Sequence, residues 1–251
     1  MIEVINLSKS FDGRPVLSGV NLSIREGETM VIMGRSGCGK SVLLKHIIGL
    51  IRPDEGQVFV DGQEISRATG EELSRARLKF GMLFQGAALF DSLSVGENVA
   101  FPLREHTTMT EAQIRDRVSE CLNLVGMPDI EDRRPAELSG GMRKRVGLAR
   151  AVAMQPKIVL YDEPTTGIDP VMSDVINRLI VRLRDQLKVT GIVVTHDLVS
   201  AYTVGNRIAM LHEGAIEQVG TVAEIRSSGN PVVRQFLEPA LSRQSEKGGM
   251  A

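Results

Sequence analysis

Gly34-Arg35-Ser36-Gly37-Cys38-Gly39-Lys40-Ser41 fits the phosphate-binding pattern G-x-x-x-x-G-K-[ST] without a mismatch. The residues before it, Thr29-Met30-Val31-Ile32-Met33, form a compact apolar run that reads as a buried strand. After it Val42, Leu43, Ile47 and Leu50 recur at helical spacing. Phosphate binding needs this order of strand, glycine loop and helix. The glycines let backbone N–H groups turn inward onto phosphate oxygens, and the helix N-terminus adds partial positive charge. Lys40 then reaches the β- and γ-phosphates, and the Ser41 hydroxyl ligates Mg²⁺. A glycine turn matching by accident would have no reason to sit between such a strand and such a helix. The stretch predicts a nucleoside triphosphate site.

The remaining composition narrows the class. A chain of 251 residues buries a substantial core, as one domain or one domain with two lobes. A formal net charge of −1 carries no nucleic-acid-binding footprint. The two cysteines, Cys38 and Cys121, stand in unrelated contexts, which argues against a disulfide framework or zinc site and suits a reducing compartment. Met1-Ile2-Glu3-Val4-Ile5 has no basic segment leading into an apolar one, so no signal peptide is expected. No apolar run approaches the ~18 residues of a membrane span. The expectation is a cytoplasmic protein that reaches a membrane only through a partner.

Ile2 to Leu7 and Val16 to Ile24 read as strands around the Asp12-Gly13 turn, and Gln57-Val58-Phe59-Val60 before Asp61-Gly62 reads as another. Thr110-Glu111-Ala112-Gln113 matches a capping box. Ile114, Val118, Cys121, Leu122 and Val125 form the apolar face of the helix behind it, which Gly126 and Pro128 stop. Another helix opens near Ser139 and runs past Arg150, burying Val146, Ala149 and Ala153. Ile158 to Tyr161 is a short strand; Val175, Ile176, Leu179, Ile180, Leu183 and Leu187 make an amphipathic helix. Gly191 to Thr195 is a buried strand, and Arg207 to Leu211 with Ala215 to Val219 a hairpin. Residues 241–251 read as a frayed tail.

Three chemically suggestive groups fall at predicted strand ends, where ligands of open α/β sheets collect: the glycine loop, Asp162-Glu163 and His196. Asp162 can hold the Mg²⁺ shell, and Glu163 can polarise an attacking water. Taken alone, the two acids also read as a solvated turn. His196 closes a strand and precedes Asp197, where an imidazole can contact a γ-phosphate. His46, His106 and His212 carry no assignment.

Leu138-Ser139-Gly140-Gly141-Met142 resembles the signature of the ABC ATPase family. The order glycine loop, Gln85, signature, Asp162-Glu163, Gly167-Ile168-Asp169, then Thr195-His196-Asp197 is that family's order and covers nearly the whole chain. The resemblance implies an α/β P-loop NTPase over residues 1–240, with a β-rich layer and a helical lobe inserted at about 87–156. Gln85 would sense Mg²⁺ and the attacking water, and Phe11 would stack on adenine where the family more often has tyrosine. Ser139 and Gly141 would bind the γ-phosphate of ATP held by a second copy, and Asp169 would face that copy's glycine loop. A head-to-tail homodimer around two ATP follows, with little activity from one chain alone. Two departures stand out: Met142 replaces the signature's usual glutamine and Ile168 the leucine before Asp169. Arg143-Lys144-Arg145 reads as a solvated charged face or, less simply, as a nucleic-acid patch.

Within the family, residues 82–93 and 98–107 look like the ATPase subunit of Mce/Mla-type lipid transport systems, as does Pro231 to Leu237. That likeness implies a pair of integral membrane permease subunits, periplasmic lipid-binding and small cytoplasmic accessory subunits, attachment to the inner face of the cell membrane, and no nucleic acid. Phe84, Leu89 and Phe90 read equally as a permease-gripping surface and as internal packing. A non-transport ABC scaffold and the ATPase of another ABC import or export system stay open at this point; a small-molecule kinase would not need Leu138 to Gly141.

Overall fold

The computed structural model describes residues 1–237, so the tail expected at 241–251 lies outside the described residues. The chain divides into two compact units, one of residues 1–69 with 194 onward and the other of residues 70–193.

The first unit opens with β1 (Ile2–Phe11), β2 (Arg14–Ile24) and β3 (Thr29–Met33). It continues through α1 (Lys40–Ile47), β4 (Glu55–Val60) and the short β5 (Gln63–Glu64). β1 pairs antiparallel with both β2 and β4, giving the expected β-rich layer in the order β2-β1-β4-β5. Its alternation is clear at the start of β1, where Ile2, Val4 and Leu7 are buried and Glu3 and Ile5 exposed. β3 differs: all five residues are buried, the pattern of a strand covered on both faces. α1 ends at Ile47, so Leu50 lies beyond it and is exposed, not part of its apolar face.

The second unit carries α2 (Gly70–Arg77), β6 (Phe80–Leu83), α3 (Val95–His106), α4 (Glu111–Leu124) and α5 (Gly140–Val152). β7 (Ile158–Asp162) and α6 (Pro170–Leu187) follow, and β8 (Thr190–Thr195) leads out of it. β6 and β7 run parallel, Phe80 opposite Ile158 and Leu83 opposite Tyr161. The anticipated capping box forms: Gln113 N–H donates to Thr110 Oγ1, and Thr110 N–H donates to Gln113 Oε1 at 2.8 Å. Cys121 is core, as expected, and burial pushes its thiol up to about 11. On α6 the buried stripe is Ile176, Leu179, Ile180 and Leu183; Val175, expected with them, is exposed.

Back in the first unit, α7 (Leu198–Val204) precedes β9 (Arg207–His212), β10 (Ala215–Thr221) and α8 (Val222–Arg226). β9 lies parallel to β3, Met33 opposite Met210, and forms the predicted hairpin with β10. Ser18 N–H donates to Gly214 O at 2.9 Å, tying the hairpin turn to β2. Among the described residues no helix is long and apolar enough to cross a membrane.

Arg117 of α4 closes the open end of α5. It is 8% exposed, and its Nε and Nη2 donate to Ala153 O and Val152 O, each at 2.9 Å. Arg117→Met strips two main-chain acceptors of charged donors and should cost about 2–3 kcal/mol. For a chain of this size that is a fall in Tm of about 4–12 °C, read by circular dichroism. A shift under about 2 °C would mean these carbonyls find other donors.

Candidate functional site

In the first unit the loop after Met33 is forced by its surroundings. A Cβ on Gly34 would stand 2.2 Å from Leu211 O, and Gly37 and Gly39 have φ of +80° and +104°, which side chains rarely adopt. Gly39 caps α1, and Leu43 N–H donates to Gly39 O at 2.8 Å, so the loop runs straight into the helix N-terminus. Lys40 is buried, with its Nζ donating to Gly34 O at 2.9 Å and Arg35 O at 3.0 Å. The ammonium therefore sits on the loop's own carbonyls. Arg35 and Ser36 are exposed, Cys38 and Ser41 half-buried.

Two further predicted residues belong to this unit. Phe11, at the end of β1, is 44% exposed, with Lys9 Nζ 5.5 Å from its ring centroid. Lys9 is held by Asp54 at 2.6 Å. Hydrogen bonds from the Lys9 ammonium and then from the Ser10 N–H hold the Asp54 carboxyl below its usual range. His196 is exposed directly after buried Thr195. Thr195 Oγ1 accepts from Asp197 N–H, and Asp197 caps α7 by accepting from Val199 and Ser200 N–H, which fixes the main chain on either side of the imidazole.

The second unit holds the other predicted residues. Asp162 ends β7, and Glu163 follows with φ +46°, both half-buried. Thr166 Oγ1 donates to Glu163 Oε2 at 3.0 Å, orienting the carboxylate. Ser139 caps α5, its Oγ accepting from Met142 N–H at 3.3 Å. A hydroxyl used as acceptor still has its proton to give. A Cβ on Gly141 would stand 2.5 Å from Met172 Cγ of α6, so a side chain there would have to displace Met172. Asp169 caps α6, Oδ1 accepting from Met172 N–H at 2.9 Å, with Pro170 at the first helical position. Gln85 is exposed just past β6.

One expectation fails in this unit. Of Arg143-Lys144-Arg145, only Arg143 is exposed. Lys144 is 4% exposed and donates from Nζ to Gln85 O and to Glu163 O, the latter at 3.2 Å. Arg145 is half-buried and reaches Gly126 O. The run is neither a solvated face nor a nucleic-acid patch. The signal was there: Lys144 falls with Gly141, Leu148 and Ala151 at the spacing of a buried stripe. Asn98 and Arg150 were also missed. Buried Asn98 accepts from Phe90 N–H and donates to the carbonyls of Phe90, Leu93 and Ser94. Arg150 donates to Ala87 O and Ala88 O and lies 5.9 Å from the Phe90 ring.

The segment so held presents Phe84, Phe90 and Phe101 at 40%, 45% and 40% exposure, with the last two rings 4.9 Å apart. Phe84 and Phe90 are therefore surface groups.

The family model described as ABC transporter matches residues 17–166. The chain belongs to this family. It is an ABC-type ATPase. The chain is 46% identical over 236 residues to the probable ribonucleotide transport ATP-binding protein mkl of Mycobacterium leprae, covering 94% of this chain and 68% of that one. To the intermembrane phospholipid transport system ATP-binding protein MlaF of Haemophilus influenzae it is 41% identical, covering 95% of this chain and 90% of MlaF. Among solved structures, a dimeric post-hydrolysis state of the ATP-binding cassette MJ0796 with ADP and Pi aligns at a TM-score of 0.82 and 35% identity, covering 88% of this chain and 99% of that one.

If Lys40 holds the nucleotide phosphates of this ABC ATPase, Lys40→Ala removes a charge-assisted contact of roughly 1.5–3 kcal/mol. Calorimetric titration with a non-hydrolysable ATP analogue should show affinity about tenfold to hundredfold weaker. Unchanged affinity would take the glycine loop out of the nucleotide site.

Proposed function

We propose that this protein is the ATP-hydrolysing subunit of a membrane transporter that moves phospholipid, acting as a head-to-tail homodimer on the cytoplasmic face of a permease pair. The observation that carries the cargo is the likeness to MlaF, which runs along 95% of this chain and 90% of MlaF. The permease reading is supported by the exposed rings of Phe84, Phe90 and Phe101, of which Phe90 and Phe101 meet where Asn98 and Arg150 pin the turn before α3. Exposed apolar groups of this kind mark contact surfaces. The periplasmic lipid-binding and accessory subunits belong to the same proposal. The mycobacterial relative is named for probable ribonucleotide transport, a second cargo, and the experiment below separates the two.

The chemistry follows from the residues. The loop N–H groups and Lys40 hold the triphosphate, and the Phe11 ring takes the adenine. Ser41 and Asp162 offer hard oxygen donors of the kind Mg²⁺ accepts alongside nucleotide phosphates. Among the described residues no group of three or more His, Cys, Asp or Glu could hold a metal by itself, which suits an ion that arrives with its nucleotide. Held by Ser41 and Asp162, Mg²⁺ would supply charge neutralisation for the nucleotide phosphates. Gln85 and Glu163 position a water in line with the γ-phosphorus. The water oxygen forms the new P–O bond as the bond to the β-phosphate oxygen breaks, and its proton passes to the Glu163 carboxylate. His196 contacts the γ-phosphate. Ser139 and the N–H groups at Gly141 bind the γ-phosphate of ATP carried by the other copy, and Asp169 faces that copy's loop.

Glu163→Gln keeps size and hydrogen bonding while removing the base, so hydrolysis should fall about 10²–10⁴-fold. ATP binding should persist, and light scattering should show an ATP-dependent dimer with Mg²⁺ present. In proteoliposomes carrying the purified complex, ATP should drive transfer of labelled phospholipid to acceptor vesicles, and the Glu163→Gln complex should not. Ribonucleotide uptake without phospholipid transfer would replace the lipid cargo. Near-wild-type hydrolysis by Glu163→Gln would place the base elsewhere.

A further inference from the structure

We infer that Lys144 is a positioning residue for hydrolysis: its buried ammonium bonds the main-chain oxygens of Gln85 and Glu163 and so fixes, from the signature helix, where both water-handling side chains point. The inference rests on the proposed roles of Gln85 and Glu163.

An ammonium taken out of water must have its N–H groups met by acceptors. Here Gln85 O and Glu163 O take two of the three. Burial draws the Lys144 pKa down, and the neighbouring Asp162 and Glu163 carboxylates oppose that shift, so negative charge favours the bonded form. Both backbones it grips are irregular turns, in which Ala87 N–H donates to Phe84 O at 2.9 Å and Thr166 N–H to Glu163 O at 3.2 Å. Glu163 sits at φ +46°, and just after Gln85 come Ala87 and Ala88 at φ +63° and +48°, a left-handed pair outside any helix or strand. Arg150, from the same helix, takes the carbonyls of Ala87 and Ala88 at 2.8 and 2.7 Å. α5 thus anchors this turn at three carbonyls and the Glu163 turn at one.

These bonds are to main chain. Losing Lys144 leaves the Gln85 amide and Glu163 carboxylate chemically intact and changes only their placement. Small misplacement of groups that act on a water is expensive in rate and cheap in binding. Ser139 caps the same helix about one and a half turns before Lys144. Engagement of the signature by a second copy's ATP is therefore mechanically joined, through one rigid helix, to the residues that handle water in this chain.

The test uses the full-length chain in its transporter complex. Lys144→Met keeps an unbranched stem and removes the ammonium. It should lower kcat about tenfold to hundredfold while leaving KM and the affinity for a non-hydrolysable ATP analogue within about twofold. Lys144→Gln, with a shorter N–H donor, should recover part of the rate. In a Glu163→Gln background, single-turnover hydrolysis should fall by less on adding Lys144→Met than it does in the wild type, because the share of its effect carried by the Glu163 carboxylate is already lost and only the share through Gln85 remains. An unchanged kcat for Lys144→Met beside an inactive Glu163→Gln overturns the inference alone. An undiminished penalty in the Glu163→Gln background also overturns it, since a merely structural lysine would give that result. If Lys144→Met does not melt cooperatively, Lys144→Gln carries both comparisons. Near-wild-type hydrolysis by Glu163→Gln would instead remove the underlying reading of the site.

Discussion

The carbonyl of Leu211 occupies the place where a side chain on Gly34 would have to go. β9 is paired in parallel with β3 as far as Met210 and Met33, so the strand that delivers the glycine loop is bonded to the strand that walls it in. At the loop's other end a Cβ on Gly39 would stand 2.8 Å from both Val16 O and Leu17 Cδ2 of β2. Backbone pressed from both ends has few conformations left. The loop N–H groups proposed to take phosphate are thus set by packing alone, which would leave little ordering entropy to be lost on binding.

Much of this was legible in the sequence because it rests on local rules. The loop is a fixed spacing of glycine, lysine and serine between an apolar run and a helical one. The Thr110 box and the Ser139 helix start are local hydrogen-bonding patterns, and both form. α2 escaped notice because only Ala76 on it is buried, so it has no apolar period to detect; its acids at Glu71 and Glu72 and its bases at Arg75 and Arg77 suit the helix dipole instead. α7 was missed because its start is an Asp197 cap that reads, in sequence, as the end of the His196 motif. Leu50 was misplaced because the spacing continued after the helix had ended at Ile47.

Lys144 was misread for a different reason. Three adjacent cations look solvated, and although helical spacing puts Lys144 on the buried stripe, nothing local names its partners, which lie 59 and 19 residues away. The second unit repeats the device. Arg117 meets Val152 and Ala153, Arg150 meets Ala87 and Ala88, Arg145 meets Gly126, and Asn98 meets three carbonyls of the 90–94 turn. Main-chain oxygens in irregular segments have no ladder or helix to satisfy them. Long side chains from neighbouring helices do it, and such pairings between distant residues are what a single sequence hides.

The two thiols differ in a way that makes the molecule addressable. Cys121 is fully buried, and burial pushes its thiol up to about 11, so the reactive thiolate is scarce there at neutral pH. Cys38 is half-buried and lies within the phosphate loop itself. An electrophilic dye or spin label offered to the folded protein has one cysteine it can reach, and that cysteine is where nucleotide should sit. Competition between label and nucleotide would therefore report occupancy of the loop directly, with no engineered residue required.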